Sequence, residues 1–430
     1  MRRVIWIVQI GEPVPHDSSH ANDRLFRSGM LAKQLADDGE DVVWWASTVD
    51  HARKSKRFDS FREVEILPRL KVAFLDGCLY QRNISIKRWV NHIQVARQFK
   101  HLINKYRKPD AIVLNFPTPE LCDVGVRFGL VADIPTVVDV RDLWPEDLVN
   151  LLPPVMRFAG RVFTLPMHAM AKRVFRGASH FTGVTSGYLQ HALMLGSRRD
   201  GGNHRVFHLA YANPNSDEVI DKIINESIPG DFTEPIRFVF SGMLGVSVEM
   251  RPVFEAIRLL FSRGHSVVFD ICGKGDKYEG YYREFGSRQG FEFHGFVDHA
   301  CLDKLLRRAH FGVMPYINRG SLRRNIPNKV GEYLSYGLPI LSTLPGSSAC
   351  LIEDDSVGMF HESADEESPV KLADFVADAL AKVDAWRELR RRCRRVFLEK
   401  FDARKVYSDY AGWVAEVAEN RLEPPAPRLA

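Results

Sequence analysis

No stretch of this chain approaches the ~20 consecutive apolar residues that a bilayer-spanning helix needs. The first strand-like run, residues 4–10, is too short for a secretory hydrophobic region with a small-residue cleavage site, and it leads straight into Gly11. The expectation is a cytosolic protein. The six cysteines, Cys78, Cys122, Cys272, Cys301, Cys350 and Cys393, are scattered with no C-x-x-C pair. Zinc sites and disulfide frameworks are recognised by spacing, so these read as reduced packing residues. Neither a G-x-G-x-x-G fingerprint nor a Walker loop is present, which disfavours nicotinamide enzymes and P-loop kinases. The net charge of +5 is mild. It suits anionic small molecules or an anionic membrane surface and makes no demand for nucleic acid.

What is present is ordinary globular composition, 45% hydrophobic and 26% charged over 430 residues, enough for two or three domains. Apolar β-rich runs alternate with helical patterns. Strands are expected at residues 4–10, 41–47, 111–116, 136–140 and 180–184. Helices are expected near 86–106, 119–132 and 154–175, and one carrying Leu25, Phe26, Met30, Leu31 and Leu35 is stopped by Gly39. The pattern pauses in a polar, Pro-bearing stretch at 213–235, then restarts with strands at 237–241, 267–272, 291–295, 311–316 and 339–343 separated by helices. A βα chain of this kind gives parallel sheets covered on both faces. The simplest account is an α/β protein with two Rossmann-like lobes facing across a cleft, residues 1–212 and 236–400. A linker at 213–235 joins them, and a C-terminal segment, 401–430, returns to the first lobe. Ligand would sit where the C-terminal strand ends of the sheets meet.

Two glycine turns follow strands of the second lobe: Ser241-Gly242-Met243-Leu244-Gly245 and Cys272-Gly273-Lys274-Gly275. Glycine lets a backbone approach a ligand closely, and a turn that opens a helix offers N–H groups to phosphate. Any βα protein has such turns, so neither is specific alone. More informative is Asn325-Ile326-Pro327-Asn328-Lys329-Val330-Gly331-Glu332-Tyr333-Leu334-Ser335-Tyr336-Gly337. Pro327 can open a short helix and Gly337 can close it. Lys329 and Glu332, three apart, share a face near the positive helix end. There a diphosphate, a lysine and a carboxylate accepting two ribose hydroxyls would fit together. An ordinary surface Lys–Glu pair has the same spacing.

With these residues the chain resembles the GT-B glycosyltransferases of the large retaining family 4, in particular bacterial enzymes of surface-polysaccharide assembly that transfer amino sugars. The resemblance rests on Gly11-Glu12-Pro13, on Arg27-Ser28-Gly29-Met30-Leu31-Ala32 and on Trp44-Trp45-Ala46-Ser47. It rests further on Val138-Asp139-Val140-Arg141-Asp142-Leu143-Trp144-Pro145, the two glycine turns and the 327–337 helix. It implies transfer from a nucleotide-diphosphate sugar, of UDP-N-acetylhexosamine type, to a lipid-linked or surface-polysaccharide acceptor. Transfer would proceed with retention and with no metal or other cofactor. The departing diphosphate needs N–H groups and cations, and an oxocarbenium-like sugar is helped by nearby anions. The site it implies has Asp142 and Glu332 as catalytic residues. Gly242, Gly245, Gly273, Gly275, Arg319, Arg323, Arg324 and Lys329 stand with Glu332 on the donor side. Asp17, Ser18, Ser19, His20, Arg141 and Trp144 stand on the acceptor side.

Three positions depart from the family pattern. Arg324 stands where a second glutamate is usual, eight before Glu332. Met243 and the 246–249 segment stand where an arginine and a lysine grip the diphosphate, and Arg141 replaces a histidine. Arg319, Arg323 and Arg324 are candidate replacements for the missing cations. These departures keep open a non-catalytic nucleotide-binding or scaffold protein of the same fold, and a nucleotide-sugar epimerase. His16 and His20 are further candidate bases. The basic, apolar stretch 155–176 reads either as a helix covering a sheet or as one lying on the anionic inner face of a membrane. The arginine run 387–395 reads as a solvated helix face.

Overall fold

The structure, a computed structural model, describes residues 2–16, 25–150, 152–226 and 235–419. The chain divides into two compact units. The first runs to His208 and is rejoined by the chain from Val406; the second is Leu209–Lys405.

The first unit is built on an eight-stranded sheet in the order Arg205–Val206, His180–Gly183, Thr136–Val140, Ala111–Phe116, Val4–Val8, Asp41–Ser47, Leu70–Leu75, Arg62–Leu67. All neighbours are parallel except the last pair. The three central strands are buried at every residue, as expected of parallel strands with helices on both faces. That is why they read as unbroken apolar runs. Indole and phenyl rings fill one side: Trp45 meets Trp6 edge-on at 5.3 Å and Phe99 at 4.9 Å. The antiparallel edge strand Arg62–Leu67 is charged and half exposed, a pattern that blunts an open sheet edge.

The second unit carries a six-stranded parallel sheet, Phe291–Gly295, Val267–Cys272, Ile236–Ser241, Phe311–Met314, Ile340–Ser342, Gly358–Phe360. One core cluster gathers Phe238, Phe254, Phe269 and Phe311; another gathers Val239, Tyr333, Leu334 and Ile340.

Three expectations change. The stretch at 213–235 is not simply a linker, because Asp217–Glu226 is a helix whose Ile220 and Ile224, four apart, are buried against Tyr333 and Leu334. The helix expected at 154–175 is interrupted. Arg157–Phe163 buries no residue, and Leu165–Gly177, with Pro166 in its first turn, buries only Ala171, Val174 and Phe175. The arginine run is not wholly solvated either. Arg390 and Arg394 are buried, and they donate to the carbonyls of Gly337 (3.1 Å), Tyr336 (2.9 Å) and Ser335 (2.8 Å). They supply positive charge where the Asn328–Ser335 helix ends, its negative pole.

All six cysteines are unpaired, and Cys122, Cys272 and Cys393 are buried. Among the described residues, no helix is long and apolar enough to cross a membrane.

Candidate functional site

In the second unit the donor-side candidates converge on the end of strand Ile236–Ser241. Helix Asn328–Ser335 is held down by Val330, Tyr333 and Leu334, all buried. The Tyr333 hydroxyl accepts from the Ser241 amide (3.2 Å) and donates to the Val313 carbonyl (3.3 Å). This pins the helix across two strands. The opposite face then presents Glu332, whose Oε2 accepts from the Ser241 hydroxyl at 2.7 Å. Lys329 lies with its ammonium 5.5 Å from the Phe240 ring and against Gly242. Burial pushes the Lys329 ammonium down, partly offset by Glu332. Burial, reinforced by the same carboxylate, pushes the Tyr316 and Tyr333 phenols up.

The two glycine turns interlock. The Gly242 amide donates to Cys272 O (2.8 Å), Leu244 N to Lys274 O (3.0 Å), and Gly273 N to Gly295 O (2.6 Å). Gly242 and Gly273 have φ of 145° and 140°, left-handed territory that glycine enters without a Cβ penalty. A Cβ at Gly273 would overlap the Gly242 carbonyl, and one at Gly242 would strike the Lys329 ammonium. The Gly242 and Leu244 amides are therefore spent on joining the turns, and the Gly273 amide on the neighbouring strand end at Gly295. Those of Met243, Gly245 and Gly275 find no acceptor among the described residues. Met243 is exposed at the tip. In the 246–249 segment Glu249 pairs with Lys277 at 3.6 Å, a cation that follows the second turn.

Arg323 and Arg324 lie on the single 3-10 turn Gly320–Arg324, and Arg319 immediately precedes it; all three are exposed. Among the described residues no hydrogen bond or ion pair joins Arg319 or Arg323 to Lys329 or Glu332.

In the first unit Arg141 is committed to its neighbours. Its guanidinium donates to Asp139 (2.9 Å), Ser28 Oγ (2.8 Å), Glu12 and Asn115. Arg27 grips Asp139 with two further bonds of 2.9 and 3.0 Å, and also holds the Phe207 carbonyl at 2.8 Å. Glu12 accepts from the Ser28 amide at 2.9 Å and the Gly29 amide at 3.3 Å, so it occupies the positive end of helix Arg27–Asp37. Two guanidinium and two carboxylate groups thus neutralise one another in a buried network, as buried charges require. Arg27 and Arg141 hold Asp139 below the usual carboxylate range against the opposing effect of burial.

Asp142, the next residue, stays outside this network and is exposed. Desolvation by the surrounding protein, with the Asp147 carboxylate nearby, raises it to about 6, opposed by Arg141 and Arg88. Trp144 lies under the Arg88 guanidinium, 4.9 Å from ring centre to carbon, and stacks near His92. His16 is packed edge-on against Phe58 and Phe74 and meets the Val14 carbonyl at 2.7 Å. The expected acceptor-side residues Asp17, Ser18, Ser19 and His20 lie outside the described residues. Among the described residues no three His, Cys, Asp or Glu side chains gather as a metal-ligating group.

Sequence reasoning missed Ser241 and Tyr333 as partners of the Glu332 helix, and it missed the Glu12–Arg27–Asp139–Arg141 network as a unit. All six sat inside quoted motifs. The available signal was a lone carboxylate, Glu12, and a lone arginine, Arg27, in two motifs, with Asp139 and Arg141 together in a third.

The family described as Glycosyl transferases group 1 matches residues 235–382, a span that contains every donor-side candidate. No protein of curated function matches the chain. Among solved structures, sucrose-phosphate synthase from Thermosynechococcus elongatus is similar at a TM-score of 0.65 and 15% identity, over 97% of this chain and 99% of that one. Anabaena Alr3699/HepE, solved with UDP, gives 0.62 and 12%, over 96% and 100%. WaaG, a glycosyltransferase involved in lipopolysaccharide biosynthesis, gives 0.56 and 12%, over 95% and 99%. The chain therefore has the GT-B fold, and its second unit carries the group 1 glycosyl transferase pattern.

Proposed function

We propose that this protein is a retaining glycosyltransferase that moves a sugar from a nucleotide-diphosphate sugar to a lipid-linked or surface-polysaccharide acceptor. The observation that carries the reading is the convergence of Lys329, Glu332, Ser241 and the Gly242 turn at the end of one strand. Glu332, oriented by the Ser241 hydroxyl, accepts ribose hydroxyls. Lys329 and the N-terminal amides of helix Asn328–Ser335 meet the diphosphate as it departs. The exposed Arg319, Arg323 and Arg324 add positive charge to the donor side. In the first unit Asp142 supplies an anion for the oxocarbenium-like sugar, with Trp144 beside it. Arg141 acts by fixing the backbone just before Asp142. UDP with an N-acetylated hexosamine is the favoured donor, and no metal takes part. The UDP in the HepE structure supports a uridine nucleotide, and lipopolysaccharide biosynthesis in the description of WaaG supports a surface-polysaccharide acceptor.

The test is thermal unfolding against UDP, GDP, ADP and dTDP sugars, with and without EDTA. A ligand at 100 times its Kd stabilises by about 2.7 kcal/mol, a visible shift. One base should give an EDTA-resistant shift that Glu332→Ala abolishes. No shift with any donor would leave the non-catalytic scaffold as the better account.

A further inference from the structure

Helix Asn328–Ser335 gives a bound nucleotide sugar its direction. Glu332, the ribose partner in the proposed function, lies three residues after Lys329, the diphosphate partner. That is about 4.5 Å along the helix axis. Continued by one more group, the line from Glu332 through Lys329 passes the amino end of the helix and reaches residues 315–327. The sheet leads the same way. Ser241 ends one strand, and the next two in the sheet, Phe311–Met314 and Ile340–Ser342, open into 315–327 and 343–346. With ribose at Glu332 and diphosphate at Lys329, the sugar falls on the corner made by these two segments.

The corner is anchored on several sides. The Ile317 amide donates to the Ser247 carbonyl at 3.0 Å, and the Ser348 hydroxyl to the Asn325 carbonyl at 2.9 Å. The Arg323 carbonyl lies so close over Gly346 that a Cβ there would overlap it. Gly346 opens helix Ser347–Asp354, whose positive end adds to the same corner. Between Asp303 and Glu353 the only acidic residue is Glu332. Glu362 reaches the loop from elsewhere, but it accepts from Asn318 Nδ2 at 3.3 Å, while Glu249 pairs with Lys277. Arg319 and Arg323 are exposed, and their guanidinium groups make no ion pair or hydrogen bond among the described residues. Arg324 already has a partner and is not required.

The diphosphate does not need these two arginines. It has Lys329, the first amides of its helix, and the Met243, Gly245 and Gly275 amides that lack acceptors. A guanidinium is a planar fork that matches a carboxylate with two parallel hydrogen bonds. A neutral hydroxyl uses neither the fork nor the charge. On a hexopyranose, C6 can be a carboxylate while the ring and its other substituents stay unchanged. We propose that the donor is a uronic acid carried on UDP, with the C6 carboxylate of the sugar held by Arg319 and Arg323. The inference rests on the glycosyltransferase reading and narrows its donor to the oxidised form of the hexose or N-acetylated hexosamine.

Calorimetric titration of the full chain with UDP and three matched pairs tests this. The pairs are UDP-glucose and UDP-glucuronic acid, UDP-galactose and UDP-galacturonic acid, and UDP-N-acetylglucosamine and its C6 carboxylate. In one pair or more the acid sugar should bind at least tenfold more tightly than its neutral partner. Added salt should narrow that ratio. The double exchange Arg319→Gln with Arg323→Gln should bring the ratio close to one. Should that variant fold poorly, each single exchange should lower the ratio by itself. UDP binding with no preference for any acid sugar overturns the proposal and leaves the glycosyltransferase reading standing. An equal loss of UDP and of both members of a pair in the double variant does the same, since it gives the arginines to the diphosphate. No binding of UDP or its sugars also overturns it. Thermal shifts with GDP, ADP and dTDP sugars then decide whether the glycosyltransferase reading survives.

Discussion

Asp142 is separated from Asp139 by two residues, yet the two carboxylates live in opposite surroundings. Asp139 is clasped by Arg27 and Arg141 and held low. Asp142 faces desolvation and Asp147, and is raised to about 6. If Asp142 must be ionised to act, kcat/KM should rise with pH through about 6. Removing the nearby negative charge in Asp147→Asn lowers the Asp142 value, so the acid limb should move to lower pH. A limb that stays in place would dissociate Asp142 from the rate. The motif containing Asp142 was legible in the sequence, but the division of labour within it was not. Arg141 stands in a motif read as acceptor-side, and its guanidinium is used up by Glu12, Ser28, Asn115 and Asp139, partners up to 129 positions away. Ser241 was equally hidden, because a hydroxyl ending a buried strand gives no hint of a carboxylate 91 positions on.

At the level of elements, the two glycine turns behave as one part. Gly273→Ala would set a Cβ on the Gly242 carbonyl and demand a φ of 140° from alanine. It should cost about 2 kcal/mol or more in calorimetric stability of the second unit, and it should weaken the nucleotide-induced shift because Gly242 backs Lys329. Stability and nucleotide shift both unchanged would show that the turns are independent. Strands at the centre of each sheet were readable because both of their faces are apolar. The Arg62–Leu67 edge strand was not, since Arg62, Glu63 and Glu65 break its hydrophobic pattern. The role of helix Arg157–Phe163 stayed open between sheet cover and membrane surface for the opposite reason. Its Phe158, Val162 and Phe163 resemble core residues in sequence, and only the structure shows them uncovered. The arginines at 390 and 394 show the converse, charge that composition assigns to solvent but that packing uses to end a helix.

For the molecule as a whole, the chain visits the first unit twice. Tyr410 stacks on Phe207 at 4.5 Å and lies beneath the Arg27 guanidinium at 5.0 Å, while Trp413 packs edge-on to His180. Ending the chain at Lys405 removes these rings together with Val414 and Val417, all buried. The first unit should then lose several kcal/mol, seen as a lowered calorimetric transition, whereas the nucleotide shift of the second unit should persist. Equal loss in both transitions would mean that they do not fold separately. The same double visit sets an order of events during synthesis. A chain leaving the ribosome amino end first cannot set Tyr410 on Phe207 until more than two hundred residues have followed Phe207 out. The continuous second unit can close meanwhile, and the first unit is completed after it.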